Sequence, residues 1–162
     1  MLATPRGGSS SRRSVGHGGR AILFLIGLGL TVGVLEVRGI GVRDGDTIEL
    51  GAMAIRLQGL AAPEGAEPGG QEASEALADL VLGKAVLCEL DGEATYDRCA
   101  AICALEGADI AEELVRMGLA RDCPRYSRGR YREAELQAAA QGATIRETYR
   151  LPEYCTGADH GR

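Results

Sequence analysis

The chain has 162 residues, of which 45% are hydrophobic, and this excludes an intrinsically disordered protein and favours one compact domain. The formal net charge is −5, but the first 40 residues carry five Arg and one Glu, a net charge of +4, which leaves −9 for the rest. A body this acidic has no overall attraction for polyanions. A nucleic-acid substrate would therefore require positive charge concentrated at one place.

The N-terminal region has the composition of a targeting segment. Residues 1–20 are rich in Gly, Ser and Arg and predict a basic, disordered region, and an apolar run follows at 21–35. Its length fits the hydrophobic region of a signal peptide and falls short of the roughly 20 residues that span a bilayer. No small-residue cleavage site follows, so three interpretations stay open: a cleaved signal peptide, an uncleaved anchor in the inner membrane, and a buried core helix. The first two place the remaining chain in the periplasm or outside the cell.

The body of the chain begins with short strand patterns. Alternating residues at 37–43 end at the turn signal Asp44-Gly45, and two further strand patterns follow at 47–50 and 53–57. The stretch from Ala61 to Gly70 contains Pro63 and predicts a loop. Two more strands are predicted at 85–90 and 98–105, joined by the polar residues 91–97.

Helical periodicity appears in three places. Apolar spacing predicts a helix over 71–82, ended by Gly83. Asp109 begins a second helix with a capping-box pattern, and a third is predicted over 131–141. Five short strands and about three helices predict an α+β fold that is mainly β, a small barrel with helical additions.

Five cysteines are many for a cytosolic protein of this size. They form no CxxC pair and no Cys/His cluster, which argues against zinc and favours disulfides in an exported protein. Because Cys155 lies in a tail at 147–162 with little else to anchor it, we predict a Cys123–Cys155 disulfide.

Five short motifs are individually weak, since each is typical of a turn, a solvated strand or a surface charge. In chain order they are Asp44-Gly-Asp46-Thr47, Ile55-Arg56-Leu57, Pro63-Glu64, Tyr96-Asp-Arg98 and the stretch LVRMGLA at 114–120. Together they resemble the staphylococcal nuclease family from Val37 to Ile145. The resemblance implies a five-stranded OB-fold barrel over residues 36–146. It also implies a calcium-dependent endonuclease that hydrolyses phosphodiester bonds of DNA, RNA or both with low specificity.

The resemblance also implies the role of each residue. Arg56 and Arg98 occupy the positions of two guanidinium groups that clamp the scissile phosphate, and Glu64 that of the carboxylate that orients or deprotonates water. For calcium, Asp46 is the expected carboxylate ligand, Asp44 supports it through water and Ala62 supplies a backbone carbonyl. Tyr96 and Tyr126 are the expected tyrosines of the nucleotide pocket.

One position departs from the family pattern. Ala61 stands where the resemblance implies a second calcium-binding Asp. We therefore expect weak calcium binding, and we expect the substitution Ala61→Asp to tighten it. The departure keeps two alternatives open: an OB-fold module that binds single-stranded nucleic acid or another ligand without cleaving it, and an inert exported domain.

A stretch of arginines between residues 116 and 132 is either a solvated surface or a phosphate-binding surface, with Arg125 and Arg128 as candidate substrate contacts. The predicted partners are the nucleic-acid substrate and, through residues 21–35, the membrane. We expect a monomer. Cys88 and Cys103 fall on adjacent predicted strands, at positions where the family has apolar core residues, and we predict core thiols there in place of a bridge.

Overall fold

A computed structural model of the protein describes residues 22–23, 34–95 and 98–156. The predicted disordered region at 1–20 and most of the apolar run at 21–35 lie outside these residues. The described parts of that run are two strands, β1 (Ile22–Leu23) and the start of β2 (Val34–Val37), which pair antiparallel. Within the described ranges, no helix is long and apolar enough to cross a membrane. The proposed export segment and the domain boundaries stay predictions.

The strands form a mixed sheet that confirms the predicted α+β, OB-type fold. An antiparallel meander is made by β3 (Gly41–Asp44), β4 (Thr47–Leu50) and β5 (Met53–Leu57). The strand β5 then pairs in parallel with β8 (Arg98–Leu105), which pairs antiparallel with β7 (Val86–Thr95). In this sheet β2 adds to the outer edge of β7.

Three further strands are two residues long. A small second sheet joins β6 (Leu60–Ala61) to β10 (Arg121–Asp122), and β9 (Ala108–Asp109) pairs with β8. The polar residues 91–97, predicted as a connection, are in part strand, because β7 continues to Thr95 through a register shift after Leu90. That prediction was wrong because a β-bulge lets polar residues extend a strand past the core.

The three predicted helices are present as α1 (Gly70–Val81), α2 (Ile110–Arg116) and α4 (Arg132–Ala140). Asp109 caps α2 as predicted, since its side chain accepts hydrogen bonds from the amides of Ala111 and Glu112. Three one-turn helices also occur, α3 (Pro124–Ser127), α5 (Ile145–Thr148) and α6 (Glu153–Thr156). Helices this short have no periodic pattern that a sequence could reveal.

The apolar side chains form two clusters. The larger one lies between the sheet, α1 and α2, and includes Ile48, Ile55, Leu77 and Leu114, all fully buried. The smaller cluster lies under the C-terminal segment, and its buried members are Ala61, Cys123, Ile145, Tyr149 and Cys155. Ala61, where a calcium ligand was expected, is therefore a core residue of the second cluster.

Two disulfides are present. The predicted Cys123–Cys155 bridge is confirmed, and it ties α6 to the residue that precedes α3. Cys88 and Cys103 also form a disulfide, so the prediction of core thiols was wrong. The two residues are direct partners on antiparallel β7 and β8, which brings their side chains together on one face of the sheet. Cys99 is the free cysteine of the described chain.

Candidate active site

The turn after β3 presents a buried carboxylate. The Asp46 amide donates a hydrogen bond to Asp44 Oδ1 at 3.1 Å, which fixes the turn, and the Asp46 side chain is buried. A Cβ atom on Gly45 would lie 2.6 Å from the Ala73 side chain and 2.9 Å from that of Ala62. Glycine is therefore required for this turn to approach α1, and the close approach is what takes Asp46 out of solvent.

Arg56 meets this carboxylate from the neighbouring strand. Register places Arg56 opposite Thr47 across the β4–β5 ladder, and Arg56 Nη2 lies 2.5 Å from Asp46 Oδ2. The Thr47 hydroxyl donates to the other oxygen, Asp46 Oδ1, at 2.7 Å. Both carboxylate oxygens thus accept hydrogen bonds from donors, while the Arg56 side chain stays 23% exposed and reaches the surface of the site.

Two opposing effects act on the ionisation of Asp46. Burial is the largest cause and, together with the neighbouring Asp44 carboxyl, raises the pKa of Asp46 to about 7, whereas the positive charge of Arg56 and the Thr47 hydrogen bond oppose the rise. The contacts with Arg56 and Thr47 therefore favour the ionised form of Asp46 against the effect of burial.

Glu64 lies on the loop that leads into α1. The loop is closed by reciprocal contacts: the Glu64 amide donates to Glu67 Oε2 at 2.8 Å, and the Glu67 amide donates to the Glu64 carbonyl at 2.7 Å. The Glu64 side chain is exposed. Burial is the largest cause of the raised pKa of Tyr154; the positive charge of Arg56 opposes the rise, and the negative charges of Asp46 and Glu64 add to it.

Arg98 begins β8, and its backbone lies opposite Ala54 in the parallel ladder, two residues before the position of Arg56. The Arg98 side chain and the whole of Tyr96 lie outside the described residues. The roles expected for these two residues in the phosphate clamp and the nucleotide pocket therefore stay predictions.

The residues that the resemblance assigns to calcium do not fit the ion as they are arranged. Both Asp46 oxygens are taken by Arg56 and Thr47, and Asp44 Oδ1 accepts an amide. Ala61 offers no carboxylate and is fully buried in the second cluster. Across residues 34–95 and 98–156 no group of three or more His, Cys, Asp or Glu side chains could hold a metal ion. Calcium prefers six to eight oxygen ligands, several of them charged.

A tyrosine that was not predicted reaches the site from the C-terminal segment. Tyr154 on α6 accepts a hydrogen bond from Arg56 Nη2 at 3.1 Å, and its ring centroid lies 6.4 Å from that of the predicted pocket residue Tyr126. Tyr149, from the same segment, is buried in the second cluster. The only sequence signal for Tyr154 is its position next to Cys155, whose disulfide was predicted.

The arginine-rich stretch is divided by its ion pairs. Arg116 pairs with Glu112 and Glu113 on its own helix, and Arg121 pairs with Glu135 at 2.9 Å. By contrast, Arg125 and Arg128 are exposed, and the Arg125 guanidinium lies 5.7 Å from the Tyr126 ring centroid. Arg125 and Arg128 therefore present charge near Tyr126, whereas Arg130 lies 3.8 Å from the Asp109 carboxylate.

The mixed OB-type sheet brings the Asp46 carboxylate and the Arg56 guanidinium together at one site. The model of the staphylococcal nuclease homologue family matches residues 54–147, and the chain belongs to that family. The succinoglycan biosynthesis protein ExoI of Rhizobium meliloti is 31% identical over 96% of this chain and 85% of its own length.

Two similar proteins carry nuclease names. An uncharacterized endonuclease of Haemophilus influenzae is 31% identical over 65% of this chain and 62% of its own length. A probable staphylococcal-like nuclease of Oryza sativa, CAN1, is 39% identical over 41% of this chain. The chain spans only 20% of the rice protein.

Proposed function

We propose that this protein hydrolyses phosphodiester bonds of DNA, RNA or both, with low sequence specificity, outside the cytoplasm. The observation that carries the proposal is the Arg56 guanidinium, which contacts both Asp46 and Tyr154 and is still partly exposed to solvent. Asp46 Oδ2 lies 2.5 Å from one of its nitrogens, and the same nitrogen donates to the Tyr154 hydroxyl at 3.1 Å. A guanidinium oriented in this way is prepared to bind a phosphate without a large loss of side-chain entropy.

The chemistry follows from what the phosphodiester needs. Negative charge grows on its non-bridging oxygens as water adds, and planar guanidinium groups match two such oxygens at once. In the proposed mechanism Arg56 and Arg98 bind these oxygens. Glu64, exposed on the loop that leads into α1, orients the attacking water and accepts its proton. As the new P–O bond forms, the P–O ester bond opposite the water breaks, and the leaving alkoxide takes a proton from solvent.

Calcium dependence is the finer part of the proposal, and it comes from the family resemblance alone. Bound calcium would supply charge stabilisation for the phosphate. Because Asp46 is paired with Arg56 and Ala61 carries no carboxylate, no step of the proposed mechanism is routed through the ion. We expect any calcium requirement to lie in the millimolar range, as for weak extracellular sites.

The contact between Arg56 and Tyr154 and the lack of a carboxylate at position 61 favour a second candidate function. A domain that keeps Arg56 and the tyrosines but lacks the carboxylate at position 61 has the parts to bind a nucleic-acid strand. It lacks a part that the family resemblance assigns to cleavage. The second candidate is therefore an OB-fold module that binds single-stranded nucleic acid without cutting it.

One experiment separates the two candidates. The full chain, produced under oxidising conditions, is incubated with single-stranded DNA, duplex DNA and RNA, with added calcium or with a chelator. We expect cleavage that falls about 100-fold or more in Arg98→Ala and in Glu64→Gln. Glu75→Gln, on the exposed face of α1, is the matched carboxylate control and should retain activity. Strand binding without cleavage under every condition would establish the second candidate.

The proposed location rests on the two disulfides, which persist in oxidising compartments. The predicted signal or anchor at 21–35 supplies the route. A fusion of the full chain to a reporter that is active only outside the cytoplasm tests this part. Loss of reporter activity when residues 21–35 are deleted is expected, and full activity without them would contradict it.

A further inference from the structure

The last segment that the structure describes contacts the candidate site although it lies beyond the family match. The match ends at residue 147, and α6 follows at Glu153–Thr156. From α6, the Tyr154 hydroxyl accepts a hydrogen bond from Arg56 Nη2 at 3.1 Å, between residues 98 positions apart. The segment therefore contributes to the site a side chain from outside the residues that the family model matches.

Tyr154 is 46% exposed, but its position is fixed by its neighbour in the chain. Its neighbour Cys155 is fully buried, bonded to Cys123 and packed in the second cluster with Ala61 and Tyr149. A surface tyrosine on a free tail would lose much conformational entropy when it bound a ligand. The disulfide removes most of that cost in advance.

The same disulfide brings a second tyrosine alongside. Cys123 directly precedes α3, which carries Tyr126, so one bridge joins the two segments that bear the tyrosines. The rings of Tyr126 and Tyr154 are tilted by 58° with centroids 6.4 Å apart, and Tyr126 is 41% exposed. The Arg125 guanidinium lies 5.7 Å from the Tyr126 centroid.

These contacts place two neighbouring tyrosine rings between two guanidinium groups, and we call this surface the aromatic row: Arg56, Tyr154, Tyr126 and Arg125. A nucleic-acid strand carries flat bases flanked by phosphates. In a duplex the faces of each base are covered by the neighbouring bases, whereas a single strand can present unstacked bases to tyrosine rings, so such surfaces select single strands over duplexes.

We propose that Tyr154, held in place by the Cys123–Cys155 disulfide, is a further base-stacking residue of this site, next to the phosphate bound by Arg56, and that it gives the aromatic row its preference for single strands. Tyr126 extends the stacking surface, and Arg125 meets the following phosphate. The inference rests on the proposed function for its substrate class, but it concerns binding and not cleavage. The disulfide between Cys123 and Cys155 is the element that holds the row together.

Binding of a fluorescent single-stranded oligonucleotide to the full chain, with chelator present, tests the site without any turnover. Tyr154→Leu should weaken binding about 10-fold or more, whereas Tyr154→Phe keeps the ring and should stay within about 3-fold of the natural protein. An oligonucleotide without bases should bind both variants alike. Duplex DNA should bind at least about 10-fold more weakly than the single strand.

Several results would overturn the inference: equal binding by Tyr154→Leu and the natural protein, equal affinity for duplex and single strand, or no single-strand binding at all. Binding that depends on Tyr154 in a protein that never cleaves would overturn the proposed hydrolysis and leave the aromatic row in place. Cleavage that is the same in Tyr154→Leu and in the natural protein would support the proposed hydrolysis and overturn the role of the aromatic row.

The two disulfides provide a matched pair of controls for the anchoring step. Replacing Cys123 and Cys155 by serine should weaken single-strand binding as much as Tyr154→Leu does. Replacing Cys88 and Cys103, which join β7 to β8 away from α6, should not. Circular dichroism at the assay temperature confirms that each variant is folded. Natural affinity in the folded Cys123/Cys155 variant would refute the role assigned to the disulfide.

Discussion

Arg56 Nη2 lies 2.5 Å from Asp46 Oδ2, and this ion pair joins the turn after β3 to the strand that ends in the candidate site. The carboxylate is 5% exposed and the guanidinium 23%. A phosphate that binds Arg56 must therefore share the guanidinium group with the Asp46 carboxylate. The pair orients the guanidinium, and it also occupies the carboxylate that the family resemblance assigns to calcium.

Removal of the guanidinium should destabilise the fold as well as the site. Arg56→Ala leaves the Asp46 carboxylate buried without its ion-pair partner, and we expect a loss of about 2–3 kcal/mol in the free energy of unfolding, toward the low end for buried pairs because Arg56 is partly exposed. Arg38→Ala breaks the surface ion pair with Glu36, in which the Arg38 and Glu36 side chains are 63% and 30% exposed, and it should cost less than about 1 kcal/mol. Urea denaturation measures both, and equal losses would show that the Asp46 pair contributes no more than a surface pair.

The two disulfides should differ in their contribution to stability. The Cys123–Cys155 bridge closes a separation of 32 residues and the Cys88–Cys103 bridge one of 15. Chain entropy alone predicts losses of about 3.7 and about 3.1 kcal/mol when each pair is replaced by alanine. Thermal unfolding of the two double variants compares them. A markedly larger loss for Cys88/Cys103 would mean that native packing between β7 and β8 outweighs the difference in loop length.

Because Ala61 is buried, we expect Ala61→Asp to destabilise the folded protein when no metal is bound. The side chain is fully buried among Cys123, Tyr149 and Cys155, so an aspartate there is desolvated and its pKa must rise above the unfolded value. Between those two pKa values the folded state holds the extra proton. Stability should therefore fall as the pH rises above about 4, by about 3 kcal/mol or more at neutral pH.

Ala61→Asn is the control for this experiment, because it has the same shape and no titration. Its stability should not show the added pH dependence of the aspartate variant. Unfolding measured from pH 4 to 8, with and without millimolar calcium, distinguishes the outcomes. If calcium restores the stability of Ala61→Asp alone, the aspartate reaches the ion and a calcium site forms here after all.

Salt dependence of binding should separate the two halves of the arginine-rich stretch. Arg125 and Arg128 are exposed near Tyr126, whereas Arg116 is paired with Glu112 and Glu113. Each phosphate contact that is lost reduces the slope of log K against log salt by about 0.7 for a single strand. The Arg125→Gln/Arg128→Gln double variant should flatten the slope measured with an oligonucleotide, and Arg116→Gln should leave it unchanged. The same slope in all three proteins would identify the stretch as solvated surface.

The sequence by itself determined the family and the order of the main elements. Local patterns were sufficient because each depends on neighbouring residues: the turn at Asp44-Gly45, the cap at Asp109 and the apolar spacing of α1. The Cys123–Cys155 bridge was also predictable, since Cys155 lies in a tail that needs an anchor. The bounds of β7 and the Cys88–Cys103 bridge were not, because both depend on the exact register of β7 against β8.

Only the tertiary structure decided what surrounds Arg56 and Ala61. Sequence motifs placed Asp46 and Arg56 in one site but could not show that they neutralise each other, because that contact depends on the β4–β5 register and on the close approach of Gly45 to α1. Tyr154 lies 98 residues from the arginine that it contacts, and no local pattern carries information over that separation. Its place is set by a disulfide and a buried cluster, which exist only once the chain has folded.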